Sequence, residues 1–335
     1  MKILIDSVYL NSFGGQEILD LIINNLNEEA KKYDFFYLLD KRNKLNIDNI
    51  AHKFCSPKIR DRKRFYTKNI KKFDKIICLA NVPPPIYISN KSVIIVFHNA
   101  LILDWTRSLS LFSNIKNLIK KQFISLSILK SYNWIVQTEL MKTKLSNSLY
   151  IAKDNISVFP FFREQRENSV KKSSENFIQI LCVTSGSPHK KNKNLLRAFA
   201  KAKFDSNYKV TLSLTLNKKN VKALQKNKEI IFLGNLSRDQ VNLEYSKSDY
   251  LIYPSVIESF GLPLVESTYY NLKILASNSE YVNYVVKPSL SFDSNSITSI
   301  KEAIEKVVNL NNIKESKLLV KNELDSFINF ICSNV

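Results

Sequence analysis

The chain lacks any long apolar stretch. Its uninterrupted apolar runs are only a handful of residues, Val93 to Phe97 for instance, whereas a bilayer-crossing helix needs about 20. No signal-peptide pattern precedes the first strand-like run, Lys2–Asp6. The four cysteines, Cys55, Cys78, Cys182 and Cys332, are scattered without metal-ligand spacing. They read as reduced, mostly buried thiols, and the expected setting is cytoplasmic. There is no internal repeat, no recognisable nucleic-acid motif and no low-complexity segment beyond a lysine and asparagine bias. Acidic residues are also short: 30 Asp and Glu stand against 50 Lys and Arg, for a net charge of +20.

That imbalance implies an acidic partner such as anionic lipid, nucleic acid or a phosphorylated substrate. Lysines spread evenly over a solvated surface are the plainer alternative, but the basic residues cluster. One cluster is Arg60-Asp-Arg-Lys-Arg64 with Lys68, Lys71, Lys72 and Lys75. A second places Lys116, Lys120, Lys121 and Lys130 among Trp105, Leu109, Phe112, Ile115, Ile119 and Phe123. The second recurs at helical spacing, which suits a basic amphipathic helix on a membrane surface and equally a core-packed helix with a wet outer face.

At 335 residues, 44% hydrophobic and 24% charged, the chain is long enough for two domains with their own cores. Strand and helix patterns alternate, which predicts parallel sheets covered on both faces. Strands are expected at Lys2–Asp6, Asp34–Leu38, Lys75–Leu79, Ser92–Phe97, Trp134–Gln137 and Ile156–Phe159. Helices are expected near Glu17–Lys32, Phe112–Lys130 and Glu139–Leu149. The polar segment 163–176 has no apolar period and reads as a linker. A second series follows at Ile178–Thr184, Lys191–Ala202, Lys209–Leu216, Ile230–Leu233, Asp249–Tyr253, Pro263–Tyr270 and Lys273–Ala276. The tail from Ile297 to Ile331 has a helical pattern.

The most informative stretch is Tyr253-Pro-Ser-Val-Ile-Glu258-Ser-Phe-Gly261-Leu-Pro263-Leu-Val-Glu266. A buried strand precedes it, and Pro263 suits the first turn of a helix. Glu258 then lies in the loop and Glu266 in the first helical turn, with backbone N–H groups near Gly261 and Leu262 turned to an anion. This segment resembles the E-x7-E signature of retaining nucleotide-sugar glycosyltransferases with the GT-B fold, in particular glycosyltransferase family 4 (group 1). Phe232-Leu-Gly-Asn-Leu-Ser237 with Tyr245-Ser-Lys-Ser-Asp249 resembles the family's lead-in to that strand. Pro188-His-Lys190 before Leu195-Leu-Arg-Ala-Phe199 resembles its basic phosphate loop, and Gly14-Gly15-Gln-Glu17 its N-terminal glycine pair. The matches span residues 2 to 293.

The resemblance implies an α/β protein of two Rossmann-like domains facing across a cleft, with a C-terminal helix that crosses back to the N-terminal domain. The N-terminal, acceptor-binding domain would be 1–165 plus about 317–335, and the nucleotide-sugar domain 166–316. Glu266 would hold the ribose hydroxyls, since a carboxylate accepts two hydrogen bonds from a vicinal diol. Glu258 would face the transferred sugar, and the N–H groups of Ser259, Phe260, Gly261 and Leu262 the pyrophosphate. Lys190 would stabilise the leaving nucleoside diphosphate, with Lys191 and Lys193 as neighbours in register. Ser185-Gly186-Ser187 stands where the family usually has an arginine, so a second phosphate cation would come from elsewhere, such as His189. Gly14 and Gly15 would form the turn after strand one, either to let a phosphate or sugar approach or simply as a tight turn. His98 would be structural or would face the sugar from its strand end, and His52 would lie on the surface.

No carboxylate pair has the layout of a double-displacement site. The resemblance therefore implies one-face retention without a metal or cofactor, with a nucleotide-diphosphate sugar as donor. The acceptor would be a glycan or a lipid-linked carrier in bacterial cell-surface polysaccharide synthesis (lipopolysaccharide, O-antigen or capsule). The expected location is cytoplasmic, peripheral on the inner face of the membrane, with the basic N-terminal half against anionic lipid. Two further readings compete: a degenerate nucleotide-binding protein without turnover, and a basic nucleic-acid-binding protein. No nucleic-acid partner is expected, because the two glutamates would repel a phosphate backbone.

Overall fold

The computed structural model describes residues 1–11, 13–29, 32–43, 50–165, 176–218, 227–308 and 313–333. The chain divides into two compact units. The first comprises Met1–Thr106, Leu111–Arg163 and Asn322–Val335, and the second Arg107–Ser110 and Glu164–Lys321. Most of the segment expected as a linker, 166–175, lies outside the described residues.

In the first unit β1 (Lys2–Asp6), α1 (Phe13–Glu28), β2 (Asp34–Asp40), β3 (His52–Cys55) and α2 (Ile59–Asn69) follow in order. Then come β4 (Lys75–Cys78), β5 (Ser92–Val96), α3 (Leu111–Leu126), β6 (Asn133–Val136), α4 (Glu139–Leu149) and β7 (Ile156–Val158). The seven strands are parallel, in the order β3-β2-β1-β4-β5-β6-β7. Central strands buried on both faces read as continuous apolar runs rather than alternating ones. Ile3, Leu4 and Ile5 of β1 and Val93, Ile94 and Ile95 of β5 accordingly have no exposure.

The second unit contains β8 (Phe177–Cys182), α5 (Asn192–Lys201), β9 (Lys209–Leu214), β10 (Ile230–Phe232), α6 (Arg238–Lys247) and β11 (Tyr250–Tyr253). After these come α7 (Leu262–Thr268), β12 (Lys273–Ser277), α8 (Glu280–Val285), β13 (Val286–Lys287), β14 (Leu290–Phe292), α9 (Ile297–Glu305) and β15 (Lys317–Leu318). Its main sheet is parallel, β10-β9-β8-β11-β12-β14. Its own core gathers Leu195 and Phe199 of α5 and Ile300 and Ile304 of α9 against the strands.

The tail differs from its helical pattern. Between α9 and α10 (Leu324–Cys332) a single helical turn, Lys306–Val308, follows α9, and further on β15 pairs antiparallel with β13. That pairing holds 317–318 in the second unit, so the chain passes to the first only at Asn322. Here α10 packs on the N-terminal core as the resemblance implied: Phe327, Ile328 and Ile331 join the cluster containing Leu19 and Ile22 of α1. Phe327 stacks on Phe161 at 4.4 Å. Burying each of these three side chains is worth about 1.5–3 kcal/mol. The Lys75 ammonium donates to the Ser333 carbonyl at 2.7 Å, closing the helix's C-terminal end.

The basic run 60–64 is not wholly a surface cluster. Arg62 is buried, donating through Nε to Asp6 at 2.8 Å and through its other nitrogens to the Pro83 and Val82 carbonyls. Lys75 is buried as well. All four cysteines are free and buried. His52, expected on the surface, is exposed on edge strand β3.

Candidate functional site

In open parallel sheets, the point where strand order reverses opens a crevice at the carboxyl ends of two neighbouring strands. In the second unit those strands are β8 and β11. The loop after β8 carries Ser185, His189 and Lys190; the loop after β11 carries Glu258 to Gly261. The two loops are tied together where the Val256 amide donates to the His189 carbonyl at 3.0 Å.

Lys190 ends a single helical turn, Pro188–Lys190, rather than lying in α5. Its ammonium is 2.5 Å from Glu258 Oε1 and donates to the Tyr253 hydroxyl at 3.2 Å, 5.2 Å above that ring's centroid. Ser255 Oγ also donates to Glu258 Oε1. The Ser255 carbonyl in turn accepts from Tyr281 at 2.7 Å and from Ser277 at 2.6 Å, which fixes the loop on α8 and β12. Burial, and then the charge of Glu258, hold the Tyr253 and Tyr281 hydroxyls well above the usual phenol range, so both stay neutral. Of the three candidate lysines, Lys190 is the one brought to Glu258.

His189 Nε2 lies 3.9 Å from Glu258 Oε1. Burial pushes its imidazole below the ordinary value despite Glu258, which pulls the other way. It is therefore a neutral hydrogen-bonding group near pH 7 and not the fixed cation that replaces an arginine. Ser185 is exposed, and its carbonyl accepts from Asn192 Nδ2 at 2.6 Å.

Gly261 is the residue preceding α7, at φ +90°, where an L side chain is strained by about 1–2 kcal/mol. A Cβ there would also stand 3.2 Å from Leu264 Cδ1 and 3.3 Å from Tyr281 Cε2. Glu266 is the fifth residue of α7, in its second turn and not its first. This carboxylate is buried, and both oxygens are engaged. Arg238 donates to Oε1 at 2.5 Å and Tyr245 to Oε2 at 2.8 Å. Sequence reading missed both partners. The signal was present: the capping box Ser237-x-x-Gln240 starts α6 at Arg238, and Tyr245 lies seven residues on, on the same helical face. Tyr270 stacks on Tyr245 at 5.4 Å.

In the first unit the order reverses between β1 and β4. Asp6 ends β1, and its Oδ2 accepts from Tyr66 at 2.6 Å as well as from Arg62. Through the Val82 and Pro83 carbonyls, Arg62 pins the loop after β4 to the end of β1. His98 follows β5, and its amide donates to Asn81 Oδ1 at 2.6 Å, with Asn81 held at φ +66°. Burial lowers the His98 imidazole to about 4, so it is neutral at physiological pH. Gly14 and Gly15 do not form the turn directly after β1; they lie in the first turn of α1, which begins at Phe13. A Cβ on Gly14 would meet nothing within 4 Å, so nothing within the fold demands glycine there. Among the described residues no three His, Cys, Asp or Glu side chains group as a metal would need, and no helix is long and apolar enough to cross a membrane.

Comparison with known proteins agrees with this architecture. The family described as Glycosyl transferases group 1 matches residues 162–323, which contain the whole β8–β11 site. No curated protein matches the chain in sequence. WaaG, a glycosyltransferase involved in lipopolysaccharide biosynthesis, superposes over 100% of both chains at TM-score 0.70 and 10% identity. A glycosyltransferase from Rickettsia africae covers 98% of this chain and 93% of its own, at TM-score 0.68 and 16% identity. Anabaena Alr3699/HepE in complex with UDP-glucose covers 98% and 95%, at TM-score 0.66 and 13% identity. The chain thus has the GT-B fold and carries, over residues 162–323, a glycosyl transferases group 1 domain.

Proposed function

We propose that the protein is a retaining glycosyltransferase of the family 4 type that moves a hexose from a nucleotide-diphosphate sugar to a glycan or lipid-linked acceptor. The observation that carries this reading is the Lys190–Glu258 pair at the switch point of the group 1 domain. Lys190 supplies a fixed positive charge to the departing diphosphate, so no metal or cofactor is needed there. Glu258 orients that ammonium and faces the transferred sugar. The backbone of Ser259 to Leu262 lines the pyrophosphate, assisted by Ser185 and neutral His189. Glu266 takes the ribose diol, each carboxylate oxygen accepting one hydroxyl on the lone pair that Arg238 and Tyr245 leave open.

In the first unit, Gly14 and Gly15 admit the donor closely and His98 contacts the sugar as a neutral imidazole. The departing phosphate takes the acceptor proton on the face it leaves, which retains the anomeric configuration. Catalysis is then mainly positioning and leaving-group stabilisation. The setting we favour is cell-surface polysaccharide synthesis on the cytoplasmic side of a membrane. Its support is the likeness to the lipopolysaccharide glycosyltransferase WaaG and a net charge of +20.

UDP-, GDP-, CMP- and dTDP-sugars, screened by thermal shift without metal and then by turnover, test the reading. The anomer of the product, read by NMR, tests retention. One alternative has a specific observation behind it: with Ser185 where the family usually has arginine, the protein binds nucleotide without turning it over. Nucleotide binding with no transfer to any acceptor, metal added or not, would establish that reading instead.

A further inference from the structure

Helix α3 is amphipathic the wrong way round for a core-packed helix. Its 16 residues, LFSNIKNLIKKQFISL, contain no Asp or Glu. Phe112 is 77% exposed, Ile119 66% and Leu126 79%, and Ile115, Leu118 and Phe123 are exposed as well. At 100° per residue these six fall within an arc of about 140°. The residues that attach the helix lie on the other side. Asn114 exchanges two hydrogen bonds with the Thr106 backbone, at 3.1 and 2.8 Å. Lys121 donates to the Leu103 carbonyl at 3.0 Å and to Ser148 Oγ at 3.1 Å, and Ile124 is buried. A surface helix of a globular protein normally turns its apolar stripe inward. Here polar groups hold the helix and the stripe faces solvent. Isolated exposed hydrophobics need no explanation, but a contiguous stripe of this size marks an interaction site.

We propose that α3 is a membrane-docking helix that lies in the plane of an anionic bilayer with this stripe among the acyl chains. Lys116 and Lys120, exposed along one edge of the stripe, meet the headgroups. Burial, and then the charge of Lys116, hold the Lys120 ammonium below its usual range, so an anionic headgroup between the two relieves their repulsion. A second copy of the chain is disfavoured as the occupant. An antiparallel two-fold contact would set the lysine edge against its own equivalent, and any such contact would join molecules each carrying +20. Sixteen residues rise about 24 Å, short of the hydrocarbon core, so the helix lies on the membrane rather than through it. Trp105, 59% exposed just before the helix, is a residue type favoured at the membrane–water boundary. The basic residues of α2, among them Arg60, Lys63 and Lys68, have no such stripe and contribute charge alone.

The surface deepens the membrane part of the proposed function and is independent of the donor chemistry. Nucleotide binding measured on the same samples therefore tells the two failures apart. The test is co-sedimentation of the full chain with phosphatidylcholine vesicles, with and without roughly a third phosphatidylglycerol. Trp105 emission reports insertion, because the other tryptophan, Trp134, is buried in β6. Phe112→Ser/Ile119→Ser/Leu126→Ser, at exposed positions that leave the fold intact, should bind anionic vesicles at least about tenfold more weakly at an unchanged melting temperature. It should also lose the blue shift of Trp105. Lys116→Gln/Lys120→Gln should weaken binding chiefly at low salt, and Arg60→Gln/Lys63→Gln/Lys68→Gln should change it by less than about threefold. Absence of wild-type binding at low salt would overturn the proposal, as would equal binding by the apolar triple variant. A wild-type dimer in sedimentation velocity that the triple variant converts to monomer, without vesicle binding, would overturn it in favour of a second copy.

Discussion

Replacing Glu266 tests the donor site most directly, provided the substitution respects what the carboxylate already holds. Glu266→Ala would leave the fully buried Tyr245 hydroxyl without its acceptor, at a cost of about 1–3 kcal/mol in stability. A lost ligand response would then be ambiguous. Glu266→Gln keeps a polar partner beside both groups. The amide oxygen still accepts from Arg238, without the charge, and the amide nitrogen donates to the Tyr245 oxygen, whose own proton then lacks the carboxylate acceptor. The free protein should lose about 1–3 kcal/mol and stay folded at the temperature of a titration. Against a ribose diol, however, glutamine offers one acceptor and one donor where two acceptors are needed. One charge-assisted hydrogen bond is lost, about 1.5–3 kcal/mol, which is roughly 10- to 150-fold in Kd. Isothermal titration with the nucleoside diphosphate that binds wild type best gives the affinity, and thermal denaturation without ligand gives the stability. An unchanged Kd, in a variant that thermal denaturation shows to be folded at the titration temperature, would refute the assignment of Glu266 to the ribose.

Other outcomes follow from the same geometry. Lys190→Met should lower kcat by about 10²–10³ with a smaller change in KM, because the ammonium acts chiefly on charge that develops as the diphosphate leaves; steady-state kinetics with the identified donor measures this. Gly261→Ala should cost about 1–2 kcal/mol in denaturant unfolding through its left-handed backbone, on top of the close approach to Leu264. Gly14→Ala should leave the protein equally stable, or up to about 1 kcal/mol more so, because it meets no neighbour and sits in a helix; reduced turnover would place a ligand against that backbone. The folded pKa of His98, about 4, lies below its ordinary value of 6.5, so the unfolded chain binds the proton first as pH falls. Its contribution is complete above about pH 6.5 and declines by up to ~3 kcal/mol towards pH 4, a slope that His98→Gln should reduce in pH-dependent unfolding.

The alternation of strands and helices was readable because parallel strands buried on both faces read as continuous apolar runs, as Val93 to Val96 of β5 and Tyr250–Tyr253 do. The spacing of Glu258 and Glu266 around Gly261 and Pro263 was readable for a similar reason, since a strand, a loop and a helix start follow one another within a few residues. Such patterns are local, written at separations of two, three or four residues. The partners of those residues were not legible. Arg62 sits in a basic run that reads as solvated surface, yet it is buried on Asp6, 56 residues earlier. Arg238 reaches Glu266 across 28 residues, and the Val286–Lys287 pairing with Lys317–Leu318 breaks what reads as a helical tail. Helix α3 makes the distinction plainest. Its periodicity is the same whether the stripe faces core or solvent, and the direction was decided only when Asn114 and Lys121 found Thr106, Leu103 and Ser148. A single strand or helix carries its own period in its residues, but which face is buried depends on what the rest of the chain brings against it.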